Sequence, residues 1–406
     1  LLEKVLVQTR TLATQRPDDS PFARPLAKLP ASIPAEEQAR LRTETLAAIT
    51  RQVLPAYGRF ARYLESQYVP AGRADPGLWS LVDGQAYYRF LVKQQTTTDL
   101  TPEQIYQVGL EEVARDEAEM LSIAKQLGFP TIAALRAAIL ADPRQHPASG
   151  DAVVAAYQHY IDQMRPRLPQ YFGRLPKAPL VTDVVPAYIA KEQPPAYYEP
   201  GTADGSRPGK VAVNKDDYAH RLLPNVEAIA YHEGIPGHHL QISIAHELEG
   251  LPAFRSYGEY NAFVEGWALY SERLAKDMGF YQDPYSNFGR LEADMWRSIR
   301  LVVDTGVHAK HWSREQVVDY FHAHSGLDEP TIQSETDRYI GWPAQALSYK
   351  AGQLKLLQLR AKAQQALGPQ FDYRSFHDEV LDSGAMPLDL VEERVNKWIA
   401  YKKAGK

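Results

Sequence analysis

The 406-residue chain contains no cysteine. Disulfides, thiolate metal ligands and a cysteine nucleophile are therefore excluded together. That absence suits the cytoplasm and an oxidising compartment equally. Long apolar runs are also missing. Runs such as Leu301-Val302-Val303 are far too short to cross a bilayer, so no membrane-spanning segment is expected. Nor is there an excess of positive charge: the formal net charge is −5. No Lys or Arg run is dense enough to suggest a nucleic-acid partner, and Lys402-Lys403-Ala404-Gly405-Lys406 reads as a solvated tail. No repeat of solenoid period occurs. The chain begins at Leu1 and shows no charged region followed by an apolar one. If a leader has been removed, the protein is expected in the periplasm or outside the cell, and otherwise in the cytoplasm.

What is present is ordinary globular composition, 44% hydrophobic and 23% charged. The length suffices for a large core or for two lobes. The first part reads as successive helices. Leu41, Leu46, Ile49 and Val53 recur at helical spacing within residues 35–69, with an interruption expected at Pro55. Thr101-Pro102-Glu103-Gln104 is a capping box that starts a helix running to about Leu127. Further helices are expected over 132–140 and 152–164. After Pro179 the texture changes. Residues 180–189 are rich in Val and Tyr, and 210–214 alternate, so both read as strands. A turn-rich loop, 199–209, lies between them. Helical texture resumes at Val226 and holds to the end, with a second capping box at Ser313-Arg314-Glu315-Gln316.

The most unusual segment is His232-Glu233-Gly234-Ile235-Pro236-Gly237-His238-His239. A helical His-Glu-x-x-His places two imidazoles one turn apart on one zinc, with the Glu as general base. Here the second His comes later. His238 lies about 120° around a regular helix from His232, and His239 lies about 10 Å further along its axis. Pro236 lacks the N–H owed to the carbonyl of His232, and Gly237 tolerates unusual backbone angles. A two-residue bulge is therefore expected, bringing one of the two His to the metal. A catalytic zinc also needs a third protein ligand and an open position. Glu265 sits among apolar and aromatic residues, where an unpaired carboxylate is costly, and is the candidate. Glu272, two turns on, supports the site or pairs with Arg273. His246 and Glu247 are the rival ligands. With zinc bound, water ionises near neutrality, Glu233 takes its proton and passes it to the departing amine.

Four blocks carry a family resemblance: the His232–His239 segment, Val264-Glu265-Gly266-Trp267-Ala268-Leu269-Tyr270, Leu301-Val302-Val303-Asp304-Thr305-Gly306-Val307-His308, and Pro343-Ala344-Gln345-Ala346-Leu347-Ser348-Tyr349-Lys350-Ala351-Gly352. They resemble a bacterial family catalogued as domain-of-unknown-function family 885, related to the gluzincin metallopeptidases. In gluzincins with an insertion in the motif, Gly often precedes the second His, so the resemblance favours His238 over His239. It also implies Glu265 as third ligand. The implied fold is mainly α, a helical metallopeptidase with one small β-sheet beside the active-site cleft. Residues 1–178 would form a helical N-terminal lobe and 179–406 a catalytic zinc-peptidase lobe, as one continuous family unit. Substrates commonly add to such a sheet edge, which would make Val211 to Asn214 hold the peptide backbone, with Asn214 as a substrate contact.

Arg297, Arg300, Asp304 and His308 recur at spacings of three or four, one polar stripe on an apolar helix. Asp304 would orient a ligand His and His308 would face the oxyanion, unless the stripe is an ion-pair ladder. Tyr349 is a phenol donor to the oxyanion. Arg297, Arg300 or Arg338 can bind a substrate carboxylate bidentately, and the sequence does not choose among them. The expected function is zinc-dependent hydrolysis of short peptides, with carboxypeptidase action as one form. The rivals are a zinc amidohydrolase acting on a non-peptide amide and a catalytically silent peptide- or metal-binding protein.

Overall fold

The structure, a computed structural model, describes residues 1–186, 190, 193–216, 218–258 and 260–405. The chain divides into two compact units, Leu1–Asp75 and Pro76–Lys406. The first holds α1 (Leu2–Thr14), α2 (Ala35–Ala48) and α3 (Leu54–Tyr63). The interruption expected at Pro55 is absent. A π-helical turn, Ile49–Val53, joins α2 to α3, and Leu54 N–H bonds back to the carbonyl of Ile49. The wider turn takes in a residue that lacks an N–H, so the helix continues.

The second unit begins with α4 (Gly84–Thr96), α5 (Pro102–Gln126), α6 (Ile132–Ala141) and α7 (Gly150–Met164). Thr101 and Gln104 form the expected reciprocal cap on α5. A three-stranded sheet follows: β1 (Leu180–Val184), β2 (Ala196–Glu199) and β3 (Gly209–Val213). Residues 187–189 of the expected first strand lie outside the described residues. β2 was not expected, although Tyr197-Tyr198 is its signal. Then come α8 (Val226–Glu233), α9 (His238–Glu247), α10 (Ala253–Ser256), α11 (Asn261–Asp277), α12 (Pro284–Ala309), α13 (Arg314–His324), α14 (Glu329–Gly341), α15 (Ser348–Leu367), α16 (Tyr373–Leu381) and α17 (Leu388–Lys403). The fold is mainly α with one small sheet, as expected. Ser313 and Gln316 cap α13 reciprocally, also as expected.

The strand order is β1-β3-β2, with β1 parallel and β2 antiparallel to β3. This corrects the expected docking strand. β3 is central, and its backbone is bonded on both sides, so Val211 to Val213 offer no edge. The free edges belong to β1 and β2.

Two large apolar cores, with smaller clusters beside them, hold the second unit. One joins α7, the sheet, α8, α9, α11 and the C-terminal helices, around Tyr231, Phe263, Trp267 and Tyr270. The other joins α5, α6, α13 and α14 around α12, through Met295, Ile299, Val302 and Val303. The helices carrying the unusual motif thus belong to one core, whereas Asp304 and His308 of α12 face a smaller cluster of Leu78, Tyr88 and Ala344.

Candidate metal centre

The expected bulge is a complete break. α8 stops at Glu233 and α9 starts at His238, with a cis Ile235–Pro236 peptide between them. The chain closes the gap with a bond from Gly237 N–H to the carbonyl of Tyr231, 3.0 Å. At Gly237 a Cβ would stand 2.0 Å from the carbonyl oxygen of His232, so no other residue fits without moving the backbone. α11 pins the break from the far side: Trp267 Nε1 (2.9 Å) and Ser271 Oγ (3.2 Å) both donate to the carbonyl of Pro236. The result sets the His232 and His238 rings edge to face, centroids 4.8 Å apart.

Glu265, on the second turn of α11, completes the cluster. Its Oε2 lies 3.6 Å from Nε2 of His232 and 3.5 Å from Nε2 of His238. One ligand atom from each of the three residues falls within 4.8 Å of the others. Two imidazoles and a carboxylate at this spacing suit zinc. Glu272 sits behind them, its Oε1 2.7 Å from Nδ1 of His232, which fixes that ring and leaves Nε2 facing the cluster. Nδ1 of His238 is buried with no partner among the described residues. Burial opposes charge on His232, but the carboxylates of Glu265 and Glu272 outweigh it and push the imidazole up to about 10. Burial likewise works to raise Glu265, and the two imidazoles override it, holding the carboxyl well below the usual range.

His239 turns the other way. Its Nδ1 meets Tyr198 Oη of β2 at 3.1 Å, and burial brings the ring down to about 4. Of the rival ligands, His246 packs on Tyr257 and Glu247 accepts Lys177 N–H at 2.7 Å. Neither belongs to the cluster.

Glu233 follows His232 directly. Burial raises its carboxyl above the ordinary range, against the pull of His232, His238 and, more weakly, Arg297. Tyr349, on the first turn of α15, is raised by burial and then by the charge of Glu265. Glycine explains the proximity: at Gly266 a Cβ would lie 2.5 Å from Cα of Gly352, so α11 and α15 touch backbone to backbone.

The other expected site residues stand outside the three-residue cluster. Arg300 donates Nε to Tyr339 Oη (3.0 Å) and Nη2 to Glu335 (3.1 Å), and its guanidinium lies 4.6 Å from the Tyr349 ring centroid. Arg338 is held by both oxygens of Glu335 and by Gln345. Among the described residues, the one hydrogen bond of Arg297 runs to the carbonyl of Ala293 in its own helix. His308 is a correction. It is fully buried, Nδ1 accepting Leu78 N–H (3.1 Å) and Nε2 meeting the carbonyl of Tyr339 (2.9 Å), so no nitrogen is left for an oxyanion. Asp304 is another: it accepts Tyr88 Oη and Ala344 N–H rather than a ligand imidazole, and burial pushes its carboxyl up to about 7. Asn214 is buried, with Nδ2 donating to the carbonyls of Ala190 and Gln193. It ties a loop to the end of the central strand. Glu335, which organises two of the arginines, was not singled out from the sequence. Its signal is the spacing of three to Arg338.

Fold and site together define a mainly helical protein in which a broken helix and its neighbour gather two histidines and a glutamate into a cluster fit to hold a metal ion. The chain belongs to the family described as bacterial protein of unknown function (DUF885), which it matches over residues 1–395. A crystal structure of a candidate lipoprotein from Colwellia psychrerythraea is similar at 33% identity and a TM-score of 0.92, covering 98% of this chain and 70% of that one. A candidate lipoprotein of unknown function from Shewanella oneidensis shares the fold at 20% identity and a TM-score of 0.74, covering 97% and 72%. Among curated proteins none matches the chain. No helix among the described residues is long and apolar enough to cross a membrane.

Proposed function

We propose that this protein is a zinc-dependent peptidase acting on short peptides, with zinc held by His232, His238 and Glu265. The observation that carries this reading is the placement of Glu233. A carboxylate raised by burial lies beside a cluster of three convergent donors, and merely holding a metal would not require it. A bound zinc would polarise the scissile carbonyl and bring the ionisation of water towards neutrality. Glu233 takes the proton from water as the water oxygen bonds to the carbonyl carbon. It then returns that proton to the amine as the C–N bond breaks. Glu272 keeps His232 in one tautomer throughout. Tyr349 donates its phenolic O–H to the oxygen that gains charge. The resemblance to gluzincins drawn from the sequence favours the same three metal ligands, His232, His238 and Glu265.

The test is metal content and turnover together. Purified protein loaded with zinc should hold one ion per chain, lost in His238→Ala and Glu265→Ala. Glu272→Ala should weaken zinc by roughly ten- to a hundredfold. Glu233→Gln should keep the metal and lose about 10²- to 10⁴-fold in peptide hydrolysis. A wild-type chain that takes up no divalent ion after zinc is supplied would sink the proposal.

A further inference from the structure

Three arginines stand near the cluster, and their partners differ. Arg300 and Arg338 share the carboxylate of Glu335. Arg297 forms no ion pair among the described residues, and its one bond, Nη1 to the carbonyl of Ala293 at 3.1 Å, stays within α12. These four side chains therefore carry two more positive charges than negative ones, in a chain whose net charge is −5. That excess is held in place. The guanidinium carbons of Arg297 and Arg300 lie 5.1 and 4.6 Å from the centroid of the Trp296 ring, and Arg300 lies 4.6 Å from that of Tyr349. Trp296, Arg300 and Tyr349 thus stack as layers, with Arg297 against the same indole.

Two N–H groups on this arrangement have no acceptor. Nε of Arg297 and Nη1 of Arg300 are buried, and neither has a hydrogen-bond partner among the described residues. Buried guanidinium donors are seldom left so, because each lacks both water and a protein oxygen. The two residues are three apart on α12, one turn, so their donors share a face. That face adjoins the reacting groups through Tyr349: the Arg300 guanidinium packs 4.6 Å from its ring centroid, and Tyr349 lies one turn before Gly352, which meets Gly266 beside Glu265. A planar anion with two oxygens is the acceptor that suits paired guanidinium donors. Arg338, whose donors already meet Glu335 and Gln345, is not part of this arrangement.

We propose that Arg297, with the unpartnered N–H of Arg300, receives the α-carboxylate at the C-terminus of a peptide, so that the enzyme removes residues from the free C-terminal end. The inference rests on the peptidase reading for the cleavage step, whereas the binding of the carboxylate stands by itself. One residue spans about 3.3–3.6 Å of extended chain. An anchor packed through Trp296 and Arg300 onto Tyr349, the proposed oxyanion donor, therefore places the terminal carboxylate within a few residues of the bond to be broken. Internal peptide bonds and C-terminal amides lack the group that this corner is charged to hold.

The experiment is calorimetric titration of the zinc-loaded Glu233→Gln protein, which binds without turnover, with tetra-alanine and with its C-terminal amide. The free acid is expected to bind at least tenfold tighter. Adding Arg297→Met should bring the acid down to the affinity of the amide and leave the amide unchanged, while Arg297→Lys should restore part of the difference. Equal binding of acid and amide to the parent protein, or no binding of either, overturns the proposal without recourse to any arginine variant. So does an Arg297→Met protein, folded by circular dichroism, that weakens both ligands alike. Turnover by the wild type separates the two readings. Cleavage of acid and amide at equal rates would leave a peptidase without this anchor. Preferred binding of the acid with no hydrolysis of any peptide would leave the anchor without a peptidase.

Discussion

Five histidines of the second unit are buried, His232, His238, His239, His308 and His377, and what their ring nitrogens meet decides what each can do. His308 spends both nitrogens on backbone groups of Leu78 and Tyr339. His377 spends both as well: Nδ1 reaches the carbonyl of Tyr171 (2.8 Å) and Nε2 meets Tyr270 Oη (2.7 Å). Among these five, His232 has one nitrogen fixed by a carboxylate at 2.7 Å and the other turned to further donors. His377 carries a consequence for pH. Burial, opposed by the bond to Tyr171, brings its imidazole down to about 3, against about 6.5 in an unfolded chain. Between those values the unfolded state holds a proton that the folded state refuses, so stability is fully present above about 6.5 and is lost as pH falls towards 3. The slope from this one group reaches about 1.4 kcal/mol per pH unit. Urea unfolding of wild type and His377→Gln from pH 4.5 to 7 should therefore show a shallower acid-side loss in the variant. Parallel curves would show that another group governs the acid limit.

Elements meet here at glycines rather than at large side chains. A Cβ at Gly352 would lie 1.9 Å from the carbonyl oxygen of Ala262 and 2.6 Å from Cα of Gly266. α11 and α15 have no room for even a methyl group at their crossing. The closeness has a functional consequence, because Glu265 precedes Gly266 and Tyr349 lies one turn before Gly352. Gly352→Ala should force the helices apart, costing at least about 1–3 kcal/mol by overpacking. It should also weaken zinc binding, although residue 352 touches no ligand atom. Denaturation midpoint and zinc affinity should fall together; a variant of unchanged stability and unchanged zinc affinity would contradict this account of the crossing. The broken α8–α9 segment follows the same economy. The bare Gly237 passes over the carbonyl of His232, and the carbonyl of Pro236 is satisfied from α11 rather than from its own helix.

Across the second unit, the two cores meet through charge as well as through apolar packing. Lys350, next to Tyr349, is fully buried, donates to Asp294 of α12 (2.6 Å) and forms an ion pair with Glu112 of α5 (3.0 Å). Asp294 also receives Arg115, which reaches Asp116 on the same helix. Burial pushes Asp116 up to about 6, with the charge of Asp294 adding to it, while Lys350 and Arg115 hold Asp294 well below the usual range. One lysine therefore links three long helices from behind the proposed oxyanion donor. Lys350→Met should cost about 3–5 kcal/mol, because Asp294 and Glu112 would remain buried with less positive charge to meet. The check is chemical denaturation, with Lys350→Met/Asp294→Asn expected to recover part of the loss.

How much of this was legible beforehand divides by the range of the forces involved. Helix starts at Thr101 and Ser313, the sheet's first and central strands, the irregularity at Pro236-Gly237 and the residue types of a metal cluster follow from hydrogen-bonding and steric rules that act within a few residues. Those rules operate in the sequence alone. They cannot say that Pro55 is absorbed by a π turn, that β2 completes the sheet and buries the strand thought to be its edge, or that His239 faces Tyr198. Nor do they reveal that His308 and Asp304 are spent on backbone and phenol, that Glu272 rather than Asp304 orients the ligand imidazole, or which arginine lacks a carboxylate. Each of those outcomes depends on a partner far away in the chain, chosen when helices close on one another and every buried donor competes for an acceptor. The residues that can hold a metal were therefore determined by the sequence, and which of them face one another was decided by the packing of α8, α9, α11, α12 and α15.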